Sequence, residues 1–336
     1  MKKKSIAIVA VILIVALTCS LAACSKTMFD GSFKKEATQE QAQSAWDGAS
    51  AALSGGDTAS LSLASSLSNN VAIKDWEGAK ISSTSKITFG GSDGVDSFEK
   101  LIYSECEGSF LFDNSAMAIT SSISSKNVNN GVAKTKTLDA GMFVKGDVFY
   151  ENITFANNSY KIKADGTDAV STLTSPFIDS AINDVKAIVC ESSYEEFIQE
   201  FDDIKAYIDD SGDYNRVKYV FSSKAVVSFY DDFLSWANEL DLNLRMGECS
   251  LIIVMDKATN AFQGAKLAIS IDCSYKDDEV ETSFSVDVVT SIENYGVVSE
   301  EAFPADLDSY TAPTQSEMSA ILDDMYEVLY SIYDFS

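Results

Sequence analysis

From residue 79 onward, hydrophobic and polar side chains alternate along the chain with a period of two. Ala79, Ile81, Ile87 and Phe89 are separated by polar positions, which is the pattern of a strand with one buried face. Similar runs cover residues 98–112, 116–126, 132–144, 147–153 and 158–163, and later 249–256, 264–275 and 280–291. Short polar connections such as Asn129-Asn130-Gly131 favour turns between neighbouring strands. The pattern predicts an antiparallel meander.

A helical spacing of hydrophobic residues replaces this alternation in three places. Capping boxes mark helix starts at Thr38/Gln41, Ser193/Glu196 and Thr314/Glu317. They predict a first helix over 38–53, a second that runs through Ile208, and a closing helix that runs through Ile332. The second belongs to a helical block at 175–240, which also holds a short strand at 217–221. Because alternating strands can each cover only one core, we expect an α+β fold: a large curved antiparallel sheet with helices packed on one face.

The N-terminal residues have the layout of a secretory signal. Lys2 to Lys4 precede an uncharged run from Ser5, and this run ends in Leu21-Ala22-Ala23-Cys24. These last four residues resemble the lipobox of bacterial lipoproteins. The resemblance implies that cleavage removes residues 1–23 and that Cys24 carries a diacylglycerol, which anchors the protein at the extracytoplasmic face of the cell membrane. An uncleaved spanning helix is the alternative, since the uncharged run is long enough to cross a bilayer, but it leaves the position of the cysteine unexplained.

Residues 24–35 are then expected to form a lipidated tether, and residues 36–336 a single extracytoplasmic domain. The tether carries Lys26, Lys34 and Lys35, for which a solvated linker and contact with lipid headgroups are both open. The formal charge of −26 becomes −29 when the three lysines of the signal are removed. A body this acidic is repelled by phosphate groups, which argues against nucleic acid as a partner.

The sequence offers little catalytic chemistry. It has no histidine, which excludes Ser-His-Asp and Cys-His nucleophile pairs and histidine-ligated metals. S-x-x-K at 83–86 lies in a predicted strand and G-x-S-x-G at 90–94 precedes one, whereas the enzymes that use these motifs place a helix there. The acidic run 209–213 is similar to a calcium loop, but the EF-hand spacing fails at Tyr214 and Val220. We expect a non-enzymatic protein without cofactor or metal.

Four cysteines, Cys106, Cys190, Cys249 and Cys273, lie in the predicted domain. Cys249 and Cys273 fall at odd positions in two adjacent predicted strands, as do the apolar residues around them. A hairpin centred near residue 261 would set these two directly opposite each other, at a spacing suited to a disulfide. Two buried thiols are an equal alternative.

The layout of the mature chain is similar to that of bacterial lipoprotein-carrier-like proteins, the LolA- and LppX-like group. An N-terminal amphipathic helix, a long meander, a helical block and further strands carry the resemblance. Phrases such as Met142–Tyr150 and Met255–Asn260 add to it. The resemblance implies a half-open barrel with helices in its concavity and, in some relatives, the binding of acyl chains.

Two functions rank first for such a domain, ahead of an enzyme, which would need carboxylates clustered in a cleft. One is a lipoprotein that holds a lipid or another hydrophobic ligand in a cavity between the sheet and the amphipathic helices of the 175–240 block. The apolar faces of those helices carry Phe197, Phe201, Phe229, Phe233 and Trp236. The other is a structural or protein-interaction lipoprotein of the cell envelope with a filled core. Both functions require the same apolar residues to face inward.

Overall fold

In the described part of the computed structural model, thirteen β-strands join into one antiparallel sheet. The structure describes residues 28–54, 76–92, 96–113, 115–156, 158–166, 189–190, 193–200, 204–222, 243–276 and 281–333. The strands are β1 (Lys35–Glu36), β2 (Gly78–Ser92), β3 (Ser97–Leu111), β4 (Ala116–Asn129), β5 (Val132–Lys145), β6 (Val148–Phe155), β7 (Asn158–Asp165), β8 (Lys205–Asp209), β9 (Tyr214–Ser222), β10 (Asn243–Met246), β11 (Glu248–Asp256), β12 (Phe262–Lys276) and β13 (Glu281–Asn294). Their order is β1-β8-β9-β11-β12-β13-β2-β3-β4-β5-β6-β7, with β10 beside β12. The predicted meander is confirmed, because β2 to β7 are consecutive neighbours.

Turn chemistry and edge protection follow simple rules in this sheet. Asn130 and Gly131 adopt positive φ angles of 49° and 81°, as the two-residue turn between β4 and β5 requires. At the β7 edge, the backbone of Thr311 exchanges hydrogen bonds with Lys161 and Lys163 at 3.2 and 2.9 Å. A later loop therefore covers part of an edge that would otherwise expose unpaired backbone groups.

Three helices in the described part of the chain begin where the capping boxes predict. They are α1 (Gln39–Ser54), α2 (Tyr194–Glu200) and α3 (Gln315–Tyr333). In each box the Ser or Thr hydroxyl accepts the backbone N–H three residues further on at 3.2–3.3 Å. The Gln or Glu side chain in turn accepts the N–H of the capping residue at 2.8–3.0 Å. No helix within these described ranges is long and apolar enough to span a membrane.

Helix α2 is shorter than the sequence predicts. The prediction that it runs through Ile208 is wrong, because Lys205–Asp209 form strand β8. Ala206 and Ile208 lie opposite Tyr219 and Val217 of β9, a strand that the sequence does predict. Residues four apart share a face in a strand as well as in a helix, so the apolar spacing alone did not distinguish the two. Most of the predicted helical block lies outside the described residues, at 175–188, 191–192, 201–203 and 223–240.

The segment from Met28 to Glu36 is not the tether that the sequence predicts. Phe29 is 2% exposed and packs with Ile252 and Val254 on the outer side of β11. Strand β1 then pairs with β8. The tether prediction is therefore wrong from Met28 onward, because Met28, Phe29 and Phe33 pack with Ile252 and Val254. Residues 1–27, including the signal and Cys24, lie outside the described residues.

Candidate ligand-binding site

Two apolar clusters lie on the same face of the sheet, toward opposite ends of its strands. The first, the Trp46 cluster, includes residues of α1 together with Ala79 and Ile81 of β2. The second, the Ile321 cluster, includes residues of α3 together with Ile87 of β2. All three β2 residues have odd numbers, and the strand pairs with β13 without a bulge. Their side chains therefore point to one face, which we call the inner face.

Small polar side chains occupy the inner face between the two clusters. Ser83 and Ser85 stand between Ile81 and Ile87 in the odd-numbered series of β2. Thr290 lies opposite Ser83 on the neighbouring strand β13. Ser83, Ser85 and Thr290 are buried. The apolar series of both strands is thus interrupted at the same level of the sheet.

The interruption continues across β3 and β4. Strands β2 and β3 pair with Gly78 opposite Leu111. Continued along the hairpin, this register places Ser104 opposite Ser85 and Cys106 opposite Ser83. Cys106 in turn faces Ser121 of β4. The resulting row runs roughly perpendicular to the strands, and we call it the polar band. Its members are Ser83, Ser85, Ser104, Cys106, Ser121 and Thr290.

Three hydroxyls of the polar band are buried without a hydrogen-bond partner. Ser83, Ser85 and Ser104 are each 1% exposed, and their oxygens have no hydrogen-bond partner in the described part of the chain. An unpartnered buried hydroxyl costs about 1–3 kcal/mol. Ser291, on the opposite face, is a contrast, because its hydroxyl donates to the carbonyl of Ser82 at 3.3 Å. The unpartnered serines are therefore concentrated at one place on the inner face.

Two ionisable groups on the inner face have environments that disfavour charge. Burial, with a smaller contribution from the Glu107 carboxylate, raises the pKa of the Cys106 thiol from 9.0 to about 12. Burial also raises the pKa of the Glu151 carboxyl above its ordinary value of 4.5. Glu151 is half-buried on β6, opposite Met142 of β5 and Ile162 of β7. The surroundings of Cys106 and Glu151 therefore disfavour an anionic ligand group.

Phe197, which the sequence predicts at a cavity, packs in the Trp46 cluster. Its ring centroid is 4.6 Å from that of Trp46 and 5.6 Å from that of Phe221. The hydroxyl of Tyr219 donates to the carbonyl of Ala42 at 2.5 Å and so joins β9 to α1. Aromatic rings fill the space beside Phe197. The other predicted cavity residues lie outside the described residues: Phe201, Phe229, Phe233 and Trp236.

Cys249 and Cys273 are not opposite each other, and the predicted disulfide is wrong. Strand β11 pairs Ser250 with Ala268, so continuation by one residue places Cys249 opposite Ile269. Cys273 instead pairs with Leu244 of β10. Four residues along a strand separate Cα atoms by about 13 Å, well beyond the ~7 Å limit for a disulfide. The bulge at Val254/Met255 and the turn after Asp256 place the centre of the β11–β12 hairpin two residues earlier than predicted.

The acidic run at 209–213 has a structural role. The Asp209 carboxylate accepts the backbone N–H groups of Ser211 and Ser32, both at 2.9 Å. Hydrogen bonds from Ser211 are the largest cause of the lowered pKa of Asp209, and the nearby Arg216 adds to it. The carboxylate thereby joins the N-terminal segment to the β8–β9 turn. Among the described residues, no group of three or more potential ligands is placed to hold a metal ion.

Sequence reasoning missed the polar band, although part of its signal was visible. Ser83 and Ser85 occupy positions where the alternation of β2 favours apolar residues. Ser83 and Lys86 of the S-x-x-K motif lie on opposite faces of β2, as predicted, with Ser83 buried and Lys86 exposed. The proximity of Ser104 to these serines depends on the hairpin register, which the sequence does not specify.

Comparison with known proteins adds no relative: no protein-family model matches the chain, and no curated protein matches it. The likeness to lipoprotein-carrier-like proteins therefore stays a prediction. Any functional conclusion rests on the geometry of the inner face and on the N-terminal sequence.

Proposed function

We propose that the protein is a lipid-anchored extracytoplasmic lipoprotein, attached through Cys24, that binds a lipid or another hydrophobic ligand on the inner face of its sheet. In this proposal the sheet curves into a half-open barrel whose concavity holds helices α1, α2 and α3. The ligand lies between the Trp46 cluster and the Ile321 cluster, and the protein performs no enzymatic step.

The three unpartnered hydroxyls of Ser83, Ser85 and Ser104 carry this proposal. Buried polar groups in native proteins are nearly always paired. A ligand with an uncharged acceptor, such as the ester carbonyl of an acylglycerol, would accept hydrogen bonds from them. The apolar clusters on either side would hold its hydrocarbon chains. An acyl ester therefore combines the two kinds of surface that the inner face offers.

Native mass spectrometry of the mature domain, purified from its own cells under mild conditions, tests the binding of lipid. We expect a non-covalent mass of several hundred daltons that is lost on collisional activation and extracts into organic solvent as an acyl ester. A covalent diacylglycerol on Cys24 is distinguished because it survives activation. Protein that carries no non-covalent mass would contradict ligand binding without affecting the anchor.

Replacing Ser83, Ser85 and Ser104 together by alanine separates a ligand-binding role from a structural one. Removal of unpartnered hydroxyls should raise the free energy of unfolding of ligand-free protein by about 1 kcal/mol or more. Lipid affinity should fall about fivefold for each lost hydrogen bond. Urea unfolding of delipidated protein and titration with a fluorescent acyl ester measure the two effects.

Ser291→Ala is the matched control for this experiment, because it removes a buried hydroxyl that already has a partner. It should lower stability slightly and leave lipid affinity unchanged. A triple variant that is less stable than the wild type and binds lipid equally well would show that the band has no part in binding.

Helix α3 favours a second candidate function. Leu322, Tyr326 and Tyr330 recur every four residues and are 38%, 52% and 74% exposed. Residues at this spacing form a continuous stripe on a helix, and exposed aromatic stripes are typical of protein interfaces. This stripe supports a structural or protein-interaction lipoprotein. Tyr326→Ala with Tyr330→Ala should abolish in-cell photo-cross-links to a partner without changing lipid content.

A further inference from the structure

The segment that follows the predicted lipidation site is fastened to the domain from Met28 onward. A guanidinium N–H of Arg216 donates to the carbonyl of Met28. Phe29 is buried against Ile252 and Val254. Residues of three strands therefore hold the chain between Met28 and Ser32. They belong to β9, to β11 and to β8, which contributes the Asp209 carboxylate described above.

Strand pairing extends this attachment. Lys35 and Glu36 lie opposite Ile208 and Tyr207 of β8. The N–H of Ala37 then donates to the carbonyl of Ala206 at 2.9 Å. The chain thus passes along the β8 edge before it enters α1, and each step has a backbone partner. Such a segment cannot act as a loose spacer.

The attachment point lies at one end of the strands. Arg216 is near the start of β9, where its guanidinium also donates to the carbonyl of Ser211 at 3.0 Å. The side chain of Lys257 donates to the carbonyl of Asp210 at 2.5 Å and so joins the β8–β9 turn to the β11–β12 turn. We call this end of the sheet, with turns 210–213 and 257–261, the anchor end. The opposite end carries the turn at 130–131.

We propose that a short anchor holds the anchor end of the sheet against the membrane. This inference rests on the proposed lipidation of Cys24. Three residues separate Cys24 from Met28, and the four Cα–Cα steps between them span at most about 14 Å even when fully extended. The 15 residues of β12 rise about 50 Å. Because the anchor is much shorter than the sheet, the domain cannot turn its far end toward the bilayer.

Exposed charges of both signs lie at this end, where Lys34, Lys35 and Lys257 accompany the aspartates, so net charge does not attract it to the membrane. Asp210 and Asp213 are exposed there, and a salt bridge at this end, Lys35 to Asp210 at 3.6 Å, is exposed as well. Acidic groups are repelled by anionic headgroups. The orientation should therefore depend on the length of the anchor and change little with salt or with the anionic lipid fraction.

Resonance energy transfer on lipid vesicles tests this geometry. An azido amino acid for dye coupling replaces exposed Ala258 at the anchor end or exposed Val132 at the far end. The lipidated protein is reconstituted into vesicles with an acceptor on the headgroups. We expect strong transfer from position 258 and at least a several-fold weaker transfer from position 132. Insertion of 20 Gly/Ser residues between Thr27 and Met28 should remove most of this difference.

Equal transfer from both positions, or a difference that the insertion leaves unchanged, would overturn the proposal. Mass analysis of the same preparations reports whether Cys24 carries a diacylglycerol. Soluble protein without this modification would refute the anchor itself, a separate outcome. A second variant, Phe29→Ser with Arg216→Ala, loosens the attachment without adding residues and should also reduce the difference. Circular dichroism of this variant confirms that the sheet is intact.

Discussion

At the scale of single residues, burial on the inner face strongly alters the chemistry of the Cys106 thiol. A pKa of about 12 in place of 9.0 makes the thiolate fraction at pH 8 about a thousandfold smaller than that of an ordinary thiol. Cys106 in folded protein should therefore react with iodoacetamide slower by a comparable factor. Peptide-resolved mass spectrometry measures the rate, and the same cysteine in urea-unfolded protein is the control. Equal rates in the two states would contradict the buried environment.

Glu151 gives a pH-dependent prediction at the same scale. Burial raises its pKa in the folded state, so the neutral form favours folding and the charged form opposes it. The stabilising contribution is complete below the ordinary pKa of 4.5 and is lost as pH rises through the folded value. Glu151→Gln should therefore be more stable than the wild type at pH 8, and the difference should shrink toward pH 4. Urea unfolding at both values measures it; a constant difference would refute the assignment.

The inner face shows why single residues were harder to predict than elements. The alternation in β2 identifies Ile81 and Ile87 as inward residues, and with them Ser83 and Ser85. It does not reveal that Ser104 lies beside these serines, because register between strands depends on turn geometry. The same limit explains the wrong prediction for Cys249. A hairpin centred two residues earlier than predicted places Ile269 opposite this residue instead of Cys273.

At the scale of elements, α1 contributes Trp46, around which aromatic residues of α2 and β9 pack. Trp46 is fully buried, and its ring lies within 6 Å of the rings of Tyr194, Phe197 and Tyr219. Trp46→Ala should lower the free energy of unfolding by about 3–5 kcal/mol, since it opens a large cavity. Tyr330→Ala, on the exposed side of α3, should change it by no more than about 0.5 kcal/mol. Urea unfolding curves compare the two variants; similar losses would mean that the cluster is not tightly packed.

Element prediction succeeded where local chemistry decides the structure and failed where pairing decides it. Three capping boxes fix three helix starts through hydrogen bonds between residues three apart, which any reader of the sequence can recognise. Residues 205–209 follow an acidic, helix-compatible stretch, and only their neighbours β1 and β9 make them a strand. Tertiary contacts thus override a weak local preference.

At the scale of the whole molecule, one ladder joins the two halves of the sheet. Strands β2 to β7 come from one stretch of the chain, while β8, β9 and β11 to β13 come from another. The pairing of β13 with β2 connects them, with Ile292 opposite Ile81 and Val286 opposite Ile87. Six strands of the sheet order lie on each side of this ladder. A continuous ladder of this kind predicts that the described sheet unfolds as one unit.

Hydrogen exchange measured by mass spectrometry tests this unity. Amides of β2 and β13 are central, so they should exchange only through global unfolding and show the largest protection. Amides of β7, which pairs with β6 on one side and is covered only in part by the backbone near Thr311, should exchange through smaller openings. Val288→Asp, which places a charge at a buried position of the central ladder, should lower the protection of both halves together. If residues 78–165 kept full protection while β8 to β13 lost theirs, the chain would consist of two separately stable units, and the single-domain expectation would be wrong.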